Sequence, residues 1–324
     1  MKNSLLKKSG ILMMLVICSV VVMSKYGQDK EKSKTIDNKE KISLNHIAMS
    51  ADEYDIDDVK FSENAEENVH DYIEAYKVQT LQYKDSDIRK IVKNAVNTKV
   101  DACKEEDKIK VYELSNGGEV TYYEKSGTIS YSFSEMGNNK SSNKNISIEK
   151  LKQIATDFIE KSNLFDMSEL EFYKGGPSIT THDSKGEAIV EYEVIYTKIP
   201  PKGIDGFDGT GPGIIVQIDC HGGVTGFVSI DKEIEKIKKS YPGKDIQEIE
   251  DDVINNNNVM IYSNEPVKKN LEVNDVEYVL YCDSVNEEQD YMIPHYRFKE
   301  KKNKNMDIVI PAIDNDYISF KKHK

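Results

Sequence analysis

The stretch DGTGPGIIVQIDCHGGVTGFVSI, Asp208 to Ile230, gathers residue types that could do chemistry. It holds glycines at 209, 211 and 213, Cys220 beside His221, and Asp219 just before them. A phosphate loop sets its glycines after a strand and before a helix, so that helix-start N–H groups point at the anion. Here the glycines precede an apolar strand-like run, and no Lys-Ser or Lys-Thr closes them. A cysteine nucleophile needs its base within hydrogen-bond reach. Neighbours in a strand point to opposite faces, so Cys220 and His221 are expected to face apart. A β-hairpin accounts for the stretch better: a strand Ile214–Cys220, a turn at His221-Gly222-Gly223, and a return strand Val224–Ile230. Gly222 and Gly223 tolerate the positive φ of tight hairpin turns. Asp219 and His221 then form an ordinary surface pair.

The other candidates are weaker. Six histidines are present, but no H-E-x-x-H occurs, and His70 with Glu74 shows only helical i, i+4 spacing. His295 follows Pro294 in YMIPHYRF, which predicts an edge strand or a bulge, since proline cannot donate to a sheet ladder. S-x-x-K occurs at Ser141–Lys144 and Ser229–Lys232, with K-S-G at Lys125–Gly127. Penicillin-recognising enzymes place the K-[ST]-G after the S-x-x-K, whereas here it comes first. DGFDG at Asp205–Gly209 and DNDY at Asp314–Tyr317 cluster carboxylates, but neither has the alternating ligands and closing Glu of an EF-hand. The Ile199–Gly213 loop is open to weak ion binding, with a solvated acidic loop as the plainer reading. No residue is assigned a catalytic, cofactor-binding or metal-ligating role. A site assembled from distant residues, with acidic loops, Tyr-rich strands and His295–Tyr296–Arg297 converging on a pocket, would make the chain a hydrolase or a ligand-binding protein.

These residues need elements to position them. The chain has 324 residues, 44 Lys and Arg against 57 Asp and Glu, a formal charge of −13, no Trp and 19 Tyr. Such an acidic chain is repelled by phosphate backbones, which argues against a nucleic-acid partner. Lys2, Lys7 and Lys8 precede the apolar run Ile11–Met23, which is short for a bilayer span and suited to a signal core. Residues 1–24 are expected to be an uncleaved membrane anchor. The alternative is a cleaved signal, with Val22 and Ser24 at the cleavage site. Positive charge before the run puts the bulk of the chain outside the cytoplasm. Ile17 before Cys18 disfavours lipidation. Cys103, Cys220 and Cys282 cannot all pair; free thiols are the simpler state and one bridge the alternative.

Residues 25–68 read as a flexible polar spacer, with 50–68 weakly structured. A first α+β module is expected over 69–140. DYIEAYKVQ is its first strand, SDIRKIVKNAV a helix capped by Asp85 or Ser86, and KIKVYEL, EVTYYEK and TISYSFSE further strands. After the polar linker 136–145, a second module spans 146–232. Ser147 caps a helix with Ile148, Leu151, Ile154, Ala155, Phe158 and Ile159 on one face, ending near Ser162. A third unit, 233–324, has a short helix carrying Ile246, Ile249, Val253 and Ile254, followed by four strands. The predicted class is α+β, with successive modules of one helix packed on an antiparallel meandering sheet.

Three stretches resemble a group of extracytoplasmic proteins of Gram-positive bacteria, the PepSY-type modules and the YycI/YycH regulators. SIEKLKQIATDFIEKSNLF is similar to the helix that opens a PepSY-type unit. GPGIIVQIDCHGGVTGFVSI is similar to its closing hairpin, with D-x-x-G-x-V at Asp219–Val224. VEYVLYCDSVNEEQDYMIPHYRF is similar to a closing strand pair, with Y-x-x-P-x-Y-x-F at Tyr291–Phe298. The resemblance covers roughly half of the chain and rests on packing motifs. It implies an N-terminal anchor and a non-enzymatic role in which a protein partner in the envelope, a sensor kinase or a peptidase, is bound and regulated. It carries over no catalytic residues and no cofactor.

Overall fold

Each helix starts where local chemistry supplies a cap. In the computed structural model, residues 41–45, 54–133, 146–182, 188–209, 211–263, 266–285, 287–301 and 306–321 are described. They lie within one compact unit, Lys39–Lys324. Helix α3 (Ile148–Ser162) begins at Ser147, whose hydroxyl accepts the Lys150 N–H at 3.3 Å. It ends at Asn163, which turns left-handed with φ 59°. Of the predicted face, Leu151, Ala155, Phe158 and Ile159 are buried, Ile154 is half-buried, and Ile148, in the first turn, is exposed. Ser147→Ala is expected to remove about 1 kcal/mol of stability, measured by urea unfolding, because a first-turn N–H loses its acceptor. Helix α2 (Asp85–Ala95) starts one or two residues earlier than a cap at Asp85 or Ser86 predicts. Lys84 is its cap residue, and the Lys84 N–H donates to the Asp87 carboxylate at 2.9 Å. Helix α4 (Ile246–Ile254) opens with a capping box, Asp245 and Glu248 each accepting the other's backbone N–H. The short α1 (Glu63–Glu67) is capped by Ser62.

The protein is mixed α/β and mostly sheet, with several antiparallel sheets. The largest sheet has eight antiparallel strands. It runs through β4 (Val100–Glu106), β5 (Ile109–Leu114), β6 (Glu119–Tyr123) and β7 (Thr128–Ser132). It continues through β12 (Val224–Ile230), β11 (Gly213–Ile218), β9 (Ala188–Lys198) and β8 (Leu170–His182). The β7–β12 pairing, Ile129 opposite Ser229, makes strands on both sides of the 136–145 linker share one sheet. Its inner face, with Tyr112, Tyr122, Tyr131, Val194, Val216 and Phe227, packs in one core with α2 and α3.

The second sheet has six strands in the order β10 (Gly206–Gly209), β15 (Asn270–Cys282), β17 (Pro294–Glu300), β18 (Met306–Pro311) and β14 (Met260–Ser263), with β2 (Asp58–Phe61) beside the start of β15. Tyr296, Phe298, Ile308 and Ile310 face a second core shared with Ile249 and Val253 of α4. A three-stranded sheet of β13 (Lys232–Pro242), β3 (Tyr72–Thr80) and β16 (Tyr291–Met292), and a pair of β1 (Ile42–Leu44) with β19 (Ile318–Phe320), complete the fold.

Three sequence expectations need correction. Parts of the polar stretch 25–68 are structured: β1, β2 and α1 fall there. Their few apolar side chains, Ile42, Leu44, Val59 and Ala65, are buried because they dock on strands supplied by distant sequence. The sheets are not purely antiparallel meanders, since β1, β2 and β10 pair in parallel with their neighbours. His295 is not on an edge, because β17 lies between β15 and β18. Pro294 is tolerated there as the first strand residue. No helix among the described residues is long and apolar enough to cross a membrane. The Ile11–Met23 run, Cys18 and Ser141–Lys144 lie outside the described residues.

Candidate functional site: a cleft between two sheet faces

Strand alternation sorts the six-stranded sheet into two chemistries. Tyr278 and Leu280, Tyr296 and Phe298, and Ile308 and Ile310 point to apolar interior. The alternate positions carry Glu277 and Val279 on β15, His295, Arg297 and Lys299 on β17, Asp307 on β18 and Tyr262 on β14, aligned by register. Part of this charged face borders a cleft of about 710 Å³. The opposite wall is the outer face of the eight-stranded sheet, where Ile195, Ile215 and Val228 are half-buried. Residues 205–209 and 211–213 line its remaining side.

That loop explains the glycines of the opening stretch. β10 lies parallel against β15 with Gly209 opposite Cys282. Gly209 has φ +72°, and a Cβ there would stand 2.2 Å from the Cys282 carbonyl oxygen. The glycine permits close backbone approach, and no anion nest is needed to account for it. Asp205 pins the loop as well, its carboxylate accepting the Tyr278 N–H at 2.7 Å.

Asp208 and Arg297, from two segments the sequence reading singled out separately, meet in the cleft. Arg297 Nη2 is 2.7 Å from Asp208 Oδ1, and both side chains are mostly buried at 13% and 12% exposure. Arg297 Nη1 also reaches Glu277 Oε2 at 3.2 Å, and Lys299 pairs with the other Glu277 oxygen. Burial alone would push the Glu277 carboxyl up, but Lys299 and Arg297 outweigh it and hold it below the ordinary range. Asp307 goes the other way, raised by burial against the pull of the same two cations. Burial, with the Asp208 charge behind it, pushes the Tyr262 phenol up to about 12. Asp208 Oδ2 is buried and accepts no hydrogen bond from the described residues.

His295 lies on the same face, wholly buried, its ring 5.2 Å from that of Tyr281. Its Nδ1 is 3.0 Å from the Ile293 carbonyl oxygen. A carbonyl only accepts, so Nδ1 carries the proton. Burial lowers the pKa to about 4, so the ring is neutral at pH 7 and Nε2 is a buried acceptor with no partner among the described residues. A histidine depressed from 6.5 in the unfolded chain to about 4 in the fold makes stability rise with pH between those values. Wild type is therefore expected to lose at most about 3 kcal/mol relative to His295→Phe as pH falls from 6.5 to 4, read by urea unfolding at each pH. A wild-type profile parallel to the variant's would contradict the assignment.

The other sequence candidates are placed elsewhere. The hairpin forms, with β11 ending at Ile218, two residues before the predicted Cys220, and Gly222 at φ +89° in the turn. Cys220 is buried and His221 exposed. Asp219 does not simply pair with the His221 ring: its carboxylate takes the backbone N–H groups of His221 and Gly223 at 2.8 Å each, capping the turn. In DNDY, Asp314 accepts the Asp316 N–H and caps a 3-10 turn. Tyr296 points away from the cleft, its hydroxyl accepting the His70 N–H at 2.7 Å. No disulfide joins Cys103, Cys220 and Cys282. Among the described residues, no group of three or more His, Cys, Asp or Glu side chains is arranged to hold a metal ion.

Glu277, Lys299 and Asp307 escaped sequence reasoning. Their signal was period-two alternation in three separate strands: Glu277 precedes Tyr278, Lys299 follows Phe298 and Asp307 precedes Ile308. Chemically, the cleft offers recognition: one aliphatic wall, and a facing wall of fixed opposite charges.

No protein-family model matches the chain, and no curated protein matches it. A solved structure of an uncharacterized protein from Eubacterium rectale is similar over 78% of this chain and 86% of its own, at 8% identity and a TM-score of 0.38. A likeness that weak carries no argument about fold or function.

Proposed function

We propose that the chain is a membrane-anchored extracytoplasmic protein without enzymatic activity, which binds a protein partner and so regulates an envelope process such as a sensor kinase or a peptidase. An extended segment of that partner occupies the cleft. The observation that carries this reading is the pairing of an aliphatic wall with a charged wall around about 710 Å³. Side chains alternate along an extended segment, so one set meets Ile195, Ile215 and Val228 while the other meets Glu277, Arg297 and Lys299. Among the described residues no strand covers the outer edge of β10, and an exposed edge can take an added strand. The Ile11–Met23 run and the resemblance to YycI/YycH regulators support the anchored arrangement.

A second reading has its own observation. The cleft volume falls in the range of small-molecule pockets, and Asp208 Oδ2 is a buried acceptor without a donor. Both, the second taken among the described residues, would suit an envelope ligand-binding protein or hydrolase. A pull-down from cross-linked membranes separates the readings, using the tagged full chain against one lacking residues 1–24. Recovery of one membrane kinase or peptidase, lost without the anchor, supports regulation by association. Recovery of no protein, with a small molecule that raises the melting temperature, supports the second reading.

A further inference from the structure

Among the described residues two lysines are buried almost completely, and their amines meet different partners. Lys244 Nζ lies 2.6 Å from the Asp252 carboxylate. Lys232, 1% exposed, donates instead to Gln289 Oε1 at 2.9 Å and to the sulfur of Cys282 at 3.3 Å. Cys282 is fully buried. Gln289 Nε2 is anchored on the Tyr281 carbonyl at 3.0 Å, which turns the amide oxygen toward the lysine and holds Nζ over the sulfur. Lys232 opens β13 directly after β12, and Cys282 closes β15 opposite Gly209. Ile230 and Val279, close by in sequence, line the two walls of the cleft.

We propose that Lys232 and Cys282 are a covalent modification site, joined by a nitrogen–oxygen–sulfur bridge with dioxygen as the oxidant. An amine with a thiol, or equally an ammonium with a thiolate, holds three hydrogens between nitrogen and sulfur. Dioxygen accepts four electrons, two from nitrogen and two from sulfur. Its O–O bond breaks, and N–O and O–S bonds form around one oxygen. The second oxygen leaves as water with two of the three hydrogens, and the third stays on nitrogen. The starting contact is little longer than the span of one inserted atom. Burial keeps competing thiols from drawing the sulfur into a mixed disulfide, and the adjacent amine holds it short of sulfinic acid. The bridge ties β13 to β15 and fixes the two cleft walls relative to each other. This inference does not rest on the partner-binding reading.

The test is peptide mass spectrometry of the full chain held in air-saturated buffer, with and without dithiothreitol. The expected result is one linked pair of peptides, containing Lys232 and Cys282, with one oxygen gained and two hydrogens lost. Reduction removes it, and the Cys103→Ser and Cys220→Ser variants keep it. The wild-type peptides alone carry the test, so it stands even where Cys282→Ser or Lys232→Arg fails to fold. Recovery of Cys282 as a thiol or with oxygen alone, beside a Lys232 still cleaved by trypsin, would overturn the proposal. So would a direct sulfur–nitrogen bond that lacks the oxygen.

Discussion

Asp252→Ala is expected to cost about 3–5 kcal/mol of stability, because it strands an ammonium inside the protein. Asp252 sits on the inward face of α4 with Ile249 and Val253 and is buried. It accepts from Lys244 Nζ at 2.6 Å and from Asn315 Nδ2 at 3.0 Å. Burial already pushes the Lys244 ammonium below its ordinary range, even with the carboxylate there to oppose it. Without Asp252 the charge keeps its desolvation penalty and loses its compensation. The double variant Lys244→Met, Asp252→Leu should recover most of the loss, since an apolar pair of similar volume often replaces a buried ion pair without penalty. Urea unfolding of the two variants checks both halves. A loss below about 1 kcal/mol in Asp252→Ala would mean that water reaches the pair.

Arg297→Met should have a comparable effect on stability, about 3 kcal/mol, with a functional consequence that Asp252→Ala lacks. The guanidinium is shared between Asp208 and Glu277 and is itself 13% exposed. Its loss leaves Asp208 without its ion-pair partner, and Glu277 with Lys299 alone. Glu277 has a depressed pKa, so its contribution is present above the unfolded carboxyl range and lost as pH falls through the folded value. In the variant that acid-dependent contribution shrinks. Asp307, already raised by burial, loses an opposing cation and rises further. The charged wall turns from mixed to acidic, and binding of the partner segment should weaken at least about tenfold, or 1.4 kcal/mol. Arg297→Lys keeps the charge without the two-pronged geometry and should fall between. Equilibrium unfolding and partner titration on the same preparations separate folding from binding.

What was legible in the sequence was local. Ser147, the apolar spacing of α3 and the glycines after Asp219 each act within a few residues, and the helix and the hairpin follow from them. Partner choice between distant strands was not legible. β10 has only four residues, Gly206–Gly209, and becomes a strand because β15 offers it an edge. β1, β2 and α1 sit in polar sequence and are held by a few buried residues docking on remote elements. β13, KEIEKIKKSYP, looks like a solvated run of charges, yet it pairs with β3 and buries Lys232 and Tyr241. The cleft followed the same logic. DGFDG and HYRF were both visible, but only the register of β10, β15 and β17 brings Asp208 within 2.7 Å of Arg297.

Whether the cleft seats a protein partner is decided by site-specific photo-cross-linking in native membranes. A photoreactive residue is placed at Ile215, on the aliphatic wall, and separately at Glu106, on the exposed far edge of the eight-stranded sheet. One protein adduct is expected from position 215 and none from position 106. The position 215 adduct should diminish when Arg297→Lys is combined with it. Absence of any protein adduct at 215, or the same adducts from both positions, would contradict that seating.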